Sequence, residues 1–208
     1  MKIRALSLVA LLFAATLPLS ADEISPAGKK LAAFLDSLNV EQHWLAGVHV
    51  DWKTGEPDGK PVSATGHHTH CSAFAAAACE RLQIYLLHPP EHGQLLLANA
   101  QFDWLGAKGA GEGWTPVKTE IEAQHLANRG EIVVAVFKNP DNKSPGHIAI
   151  VRPSEKSEAL IKTEGPQEIQ AGLHNHNSAT LKEGFSAHPG AFEKHEILFF
   201  AHVVEKIP

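Results

Sequence analysis

Apolar residues at positions 31, 34, 35 and 38 (Leu31, Phe34, Leu35, Leu38) recur with the i, i+3, i+4, i+7 spacing of one helix face. Ser25 precedes them as an N-cap and Pro26 as a first helical residue, so a helix is predicted over residues 26–39. Residues 72–87 are apolar nearly all round and contain four consecutive alanines. That composition favours a helix, and the missing polar face makes it a buried, central one. Pro89 and Pro90 are expected to end it. Helices are further predicted over 93–105 and 118–129, the latter stopping at Gly130 as a C′ glycine. The pattern then changes to short apolar runs. Strands are predicted over 131–138, 147–152, 159–163, 167–172 and 196–204. Helices first and strands second, without alternation, predict an α+β fold with N-terminal helices packed on a central antiparallel β-sheet. The Gly-, Pro- and Asp-rich stretch 50–70 reads as one long loop, of a length that is usually functional or disordered.

The first 21 residues follow a different logic. Lys2 and Arg4 are followed by an apolar run over 5–17 and then by Pro18-Leu19-Ser20-Ala21. This is the charged, hydrophobic and small-residue order of a secretory signal. The run is shorter than the roughly 20 residues that a membrane span needs. Residues 1–21 are therefore read as a signal peptide and 22–208 as a single domain, exported to the periplasm or secreted. No other segment is long and apolar enough to predict a membrane span.

Composition narrows the function. The chain has 208 residues and a net charge of −5, made more acidic by loss of Lys2 and Arg4, which argues against a nucleic-acid partner. Two cysteines cannot build a disulfide framework. Cys71 and Cys79 are eight residues apart, so in one helix they are about 12 Å apart, well beyond the ~5.5 Å between bonded Cα atoms. Cys79 is expected in the core. The excess is in histidine, 14 in all, of which His67, His68 and His70 lead directly into Cys71.

Cys71 sits where the long loop meets the buried helix. Helix N–H groups and the positive end of the helix dipole lower a thiol pKa at such a place. A thiolate nucleophile needs a base. His147 opens a strand just after Ser144-Pro145-Gly146, where an imidazole can face a cleft. A third polar residue is needed to accept from the other ring nitrogen, and Gln170 on the next predicted strand is placed to do so.

Three segments carry a family resemblance: Thr69-His70-Cys71-Ser72-Ala73-Phe74, Gly146-His147-Ile148-Ala149-Ile150-Val151 and Ile169-Gln170-Ala171. Together they resemble the papain-like cysteine amidase/peptidase superfamily that includes the NlpC-like and CHAP families. Asn128-Arg129-Gly130-Glu131-Ile132-Val133 is similar to the strand preceding the histidine strand in that group. The resemblance covers residues 60–172. It implies a papain-like fold, Cys71 as nucleophile, His147 as base and Gln170 in the third polar position, which relatives often fill with His, Asn, Asp or Glu. Glutamine is a departure, since it orients an imidazole without stabilising imidazolium as a carboxylate would. The resemblance also implies amide hydrolysis without a cofactor, and, with export, a peptidoglycan stem peptide or another peptide as substrate. The protein is read as a monomer.

Around this core of three residues stand weaker candidates. His70 and Ser72 are candidates for the oxyanion region or cleft wall, with the Cys71 N–H as one oxyanion donor and a second from the loop 62–70. Trp52, Asn99 and Trp104 are substrate-groove candidates, although packing is the commoner use of such residues. Trp114 reads as a structural anchor. Two other function classes compete. One is a metal-dependent hydrolase or metal-binding protein built on His67, His68 and His70, with His174-Asn175-His176 as a possible completion. The sequence lacks the Asp that a metallo-β-lactamase-type His-x-His-x-Asp-His pattern requires. The other is a catalytically silent wall-binding module.

Overall fold

A computed structural model describes residues 23–62 and 68–208. The predicted signal peptide and His67 lie outside the described residues. Among the described residues, six α-helices and six strands follow one another: α1 (Pro26–Ser37), α2 (Cys71–Arg81), α3 (Leu97–Ala107), β1 (Thr115–Val117), α4 (Glu120–Asn128), β2 (Ile132–Phe137), β3 (His147–Val151), α5 (Glu158–Glu164), β4 (Gln167–Gln170), β5 (His176–Thr180), α6 (Leu181–Gly184) and β6 (Leu198–His202). The strands form one sheet in the order β1-β6-β2-β3-β4-β5, with every neighbouring pair antiparallel. The fold is therefore α+β with an antiparallel sheet, as the order of patterns predicts.

Every residue of β2 and β3 is buried. An antiparallel sheet with one wet face would alternate apolar and polar positions. Here both faces are covered, so both sets of alternate residues are apolar. Ile132, Val134 and Val136 join the core beneath α1, α2 and α3. Val133, Ala135 and Phe137 join a second core with α4 and α6. The helices thus lie on both faces, the first three on one and the later ones on the other.

The alanines of α2 let this helix approach the sheet closely, and Ala75, Ala76 and Ala78 are fully buried. The helix ends six residues before the predicted end. Gln83 turns into the left-handed region (φ 61°), and the Ile84 N–H reaches back to the Cys79 carbonyl at 2.9 Å. That bond satisfies a terminal carbonyl and stops the helix well before the prolines. Residues 159–163, predicted as strand, are helical instead. The Ser157 hydroxyl caps the Leu160 N–H, and only Ile161 turns inward. A helix with one anchor residue has too little apolar periodicity to be distinguished from a strand. Strand β5, which begins at His176, is not among the predicted strands.

Gln101 on α3 fixes α2 from the side. It is fully buried, and its Nε2 donates to the carbonyls of Ser72 (3.1 Å) and Leu87 (2.9 Å). Gln101→Leu should lower stability by about 1–3 kcal/mol, the usual cost of leaving a buried acceptor unpaired. Urea unfolding followed by tryptophan fluorescence measures this. A loss below about 0.5 kcal/mol would show that the amide is not a structural tie.

Candidate active site

The end of the sheet where β3 begins and β4 finishes borders a cleft of about 1380 Å³. Cys71, His147 and Gln170 all line it. The chain after β2 turns through a loop, and Gly146 delivers His147 opposite Phe137 in the β2–β3 register. Asn99 secures this loop. Its Nδ2 donates to the Ser144 carbonyl (2.9 Å) and its Oδ1 accepts from the Asn139 N–H (3.1 Å).

The His147 ring is nearly buried, 6% exposed, with Phe185 edge-on at 4.7 Å. Its Nε2 lies 2.5 Å from Gln170 Oε1. An amide oxygen can only accept, so Nε2 carries the proton and Nδ1 carries the basic lone pair. Gln170 Nε2 faces the His174 carbonyl at 3.4 Å, which agrees with this orientation of the amide. Burial is the larger influence on the imidazole and pushes its pKa down to about 4, against a raising effect of Gln170. His147 is therefore neutral near pH 7.

Cys71 opens α2, whose N-cap residue His70 makes no side-chain capping bond. The first N–H groups of a helix have no intrahelical acceptor. Those of Cys71 and Ser72 favour the thiolate, as does the N–H of Ile148, the residue after His147. The thiol is thereby set against the start of β3. Burial outweighs these amides, and the thiol pKa is raised rather than lowered. This corrects the sequence expectation of an acidified thiol: Cys71 is only 4% exposed, because α2 is sunk into the sheet to its first residue. Cys79 is buried in the core, with its pKa raised by burial, and both cysteines are free.

His70 and Ser72 line the cleft. The His70 Nε2 meets the Val48 carbonyl at 2.8 Å, which ties the preceding loop to the start of α2. Burial lowers the His70 pKa despite the opposing effect of that carbonyl. Trp52 also lines the cleft and stacks on His88 at 4.4 Å. Two groove candidates are corrected. Asn99 is spent on the loop before His147 and does not line the cleft. Trp104 packs edge-on against Tyr85 at 5.4 Å, away from the cleft. Both residues lie on α3, whose polar groups brace neighbouring segments. Trp114 is buried, with its indole N–H donating to the Tyr85 carbonyl at 2.8 Å.

Of the metal candidates, His67 lies outside the described residues, as does the part of the loop 62–70 covering residues 63–67. His68 lines the cleft. The rings of His174 and His176 are 6.5 Å apart. Among the described residues, no three His, Cys, Asp or Glu side chains converge as a metal-binding group.

The structure adds His188, which sequence reading passed over. It lines the cleft with its ring 5.8 Å from that of His147 and inclined by 30°. Burial first, and then His147, push its pKa to about 4. A histidine in a Pro- and Gly-containing loop far along the chain carries no local signal that it folds back onto the site.

No protein-family model matches the chain, and no curated protein is significantly similar to it.

Proposed function

We propose that the protein is a cysteine hydrolase that cleaves amide bonds through Cys71, His147 and Gln170. One observation carries the reading. Gln170 holds the Nε2–H tautomer of His147, leaving Nδ1 as the base at the same cleft end where the Cys71 thiol opens α2.

In the reaction, the Sγ–H proton passes to His147 Nδ1 as sulfur attacks the amide carbonyl carbon. The carbonyl oxygen takes up the negative charge, with the Cys71 N–H as one donor to it. On collapse the C–N bond breaks, and the proton on His147 goes to the leaving amine. Water, deprotonated by the same imidazole, then hydrolyses the thioester and releases a carboxylic acid. No cofactor enters. The substrate class is the peptide stem of peptidoglycan. It rests on the resemblance to exported papain-like amidases and on the signal-like residues 1–21. The same residues support a periplasmic or secreted location.

Incubation with isolated sacculi tests the reading. New amine and carboxyl termini should appear in the released peptides, iodoacetamide should abolish their release, and EDTA should leave it unchanged. Loss with EDTA and survival of iodoacetamide would instead favour the metal-dependent class. Binding without release would favour the silent wall-binding module.

The resting protonation state has its own consequence. The thiol pKa is raised and the imidazole pKa lowered to about 4, so the neutral pair predominates near pH 7. Alkylation of Cys71 by iodoacetamide should therefore rise steadily with pH through neutrality, because only the thiolate reacts. A rate already level from pH 5 upward would reveal a preformed thiolate–imidazolium pair and contradict this resting state.

A further inference from the structure

Glu168 lies two residues before Gln170 on β4 and is fully buried. Neither of its carboxyl oxygens has a hydrogen-bond partner. Charged and titratable groups surround it without satisfying it. Glu183 on α6 and Arg152 after β3 act on it through space. Arg152 is committed to the Asp36 carboxylate at 2.9 Å and to the Asn177 carbonyl. His176 pairs with Gln170 in the β4–β5 register, and His147 and His188 lie beyond Gln170. Burial, with Glu183 adding to it and Arg152 opposing, pushes the Glu168 carboxyl well above the usual carboxylate range. A carboxylate that accepts from nothing in a dry site is strongly disfavoured. The acid form carries an O–H, and that O–H needs an acceptor.

Gly184, the last residue of α6, marks a place where the two side chains converge. A Cβ there would lie 2.5 Å from Glu168 Oε1 and 3.0 Å from Gln170 Oε1. The two oxygens border one small space kept clear by the glycine. Gln170 Oε1 spends one lone pair on the His147 Nε2–H and has a second remaining. We propose that the carboxylic acid of Glu168 donates its O–H to this second lone pair, which makes Glu168 the positioning residue for the His147–Gln170 pair. The inference rests on the reading of His147 as the base.

The role follows from the symmetry of a primary amide. Rotated by half a turn, Gln170 presents N–H groups to His147 Nε2. That nitrogen would then have to accept, and the ring proton would move to Nδ1, where the base must be free. The contact from Gln170 Nε2 to the His174 carbonyl, at 3.4 Å, is long and holds the amide weakly. A donor from Glu168 fixes the oxygen toward the imidazole. A carboxylate at 168 would instead face the oxygen of Gln170 with like partial charge and release it.

Two-bond ¹H–¹⁵N correlation spectra of ring-labelled histidine report the tautomer directly, without any substrate. The wild type at pH 7 should show His147 protonated on Nε2. Glu168→Gln should keep that tautomer, because an amide N–H replaces the acid O–H. Glu168→Met, of similar length and without a donor, should shift the ring toward the Nδ1–H form. Raising the pH until Glu168 ionises should shift the wild type in the same direction and leave Glu168→Gln unmoved. An unchanged tautomer in Glu168→Met, a lost one in Glu168→Gln, or equal alkaline shifts in wild type and Glu168→Gln would overturn the proposal. The wild-type titration needs no substitution, so it stands even where a variant folds poorly. These signals are separate from turnover. Absence of amide cleavage with the tautomer pattern intact would count against the hydrolase reading, whereas cleavage without the pattern would count against Glu168.

Discussion

With Cys71 as the proposed nucleophile, Cys71→Ala is expected to lower peptide release from isolated sacculi by roughly 10⁴-fold or more, the scale on which loss of a nucleophile acts in hydrolases. The argument is chemical. The Cys71 thiol lines the same cleft as His147, at a helix start where the Ile148, Ser72 and Cys71 N–H groups favour its thiolate. The fold should tolerate the change. Alanine fits a helix of alanines, and removal of one buried sulfur costs about 1 kcal/mol, the typical effect of a point substitution. Thermal unfolding and far-UV circular dichroism check that the variant is folded, and chromatography of the released peptides measures the loss. Digestion at the wild-type rate by a folded Cys71→Ala protein would remove the thiol from the mechanism.

Gly146→Ala is expected to be the most damaging change outside the three site residues. A Cβ at this position would lie 2.1 Å from the Phe137 carbonyl oxygen and 2.5 Å from Asn99 Oδ1. The first is backbone at the end of the β2–β3 pairing, held opposite His147, and cannot swing aside. The second holds the loop that delivers His147. Relief requires the start of β3 to move away from β2, and His147 is the next residue. Overpacking of this kind costs about 1–3 kcal/mol of stability. A displacement of the base by ~1 Å can cost on the order of 10²-fold in rate. The variant should therefore stay folded at 25 °C with a lower melting temperature and lose about two decades of turnover. Activity within a factor of two of wild type would show that the site does not depend on this close approach.

The site was legible to the extent that its chemistry is local. A thiol at the junction of loop and apolar helix, and a histidine between a glycine turn and an apolar strand, are visible as residue types beside changes of pattern. Gln170 follows from the need for a third polar group on the next strand. What could not be read is what depends on depth and on distant loops. Burial reverses the expected shift of the Cys71 thiol, and depth is set by the alanines of α2 against the sheet rather than by Cys71 itself. Asn99 and Trp104 carry polar groups suited to a groove, yet α3 directs them to the loop before β3 and to Tyr85. His188 and Glu168 reach the site through α6 and the bulged β4–β5 pairing, contacts that no sequence period marks. The same holds for the fold. The fully buried strands β2 and β3 and the largely apolar helix α2 were clear, whereas the three-residue β1 and the single-anchor helix α5 have too few buried positions to show a period.

Intact-protein mass spectrometry after rapid acid quench tests the central claim most directly. Wild type mixed with excess stem-peptide substrate should carry an added mass equal to the acyl portion. Peptide mapping should place that mass on Cys71, and the adduct should disappear as the thioester is hydrolysed. Turnover with no adduct at any quench time in the wild type, or an adduct mapped to another residue, would contradict catalysis through the Cys71 thiol.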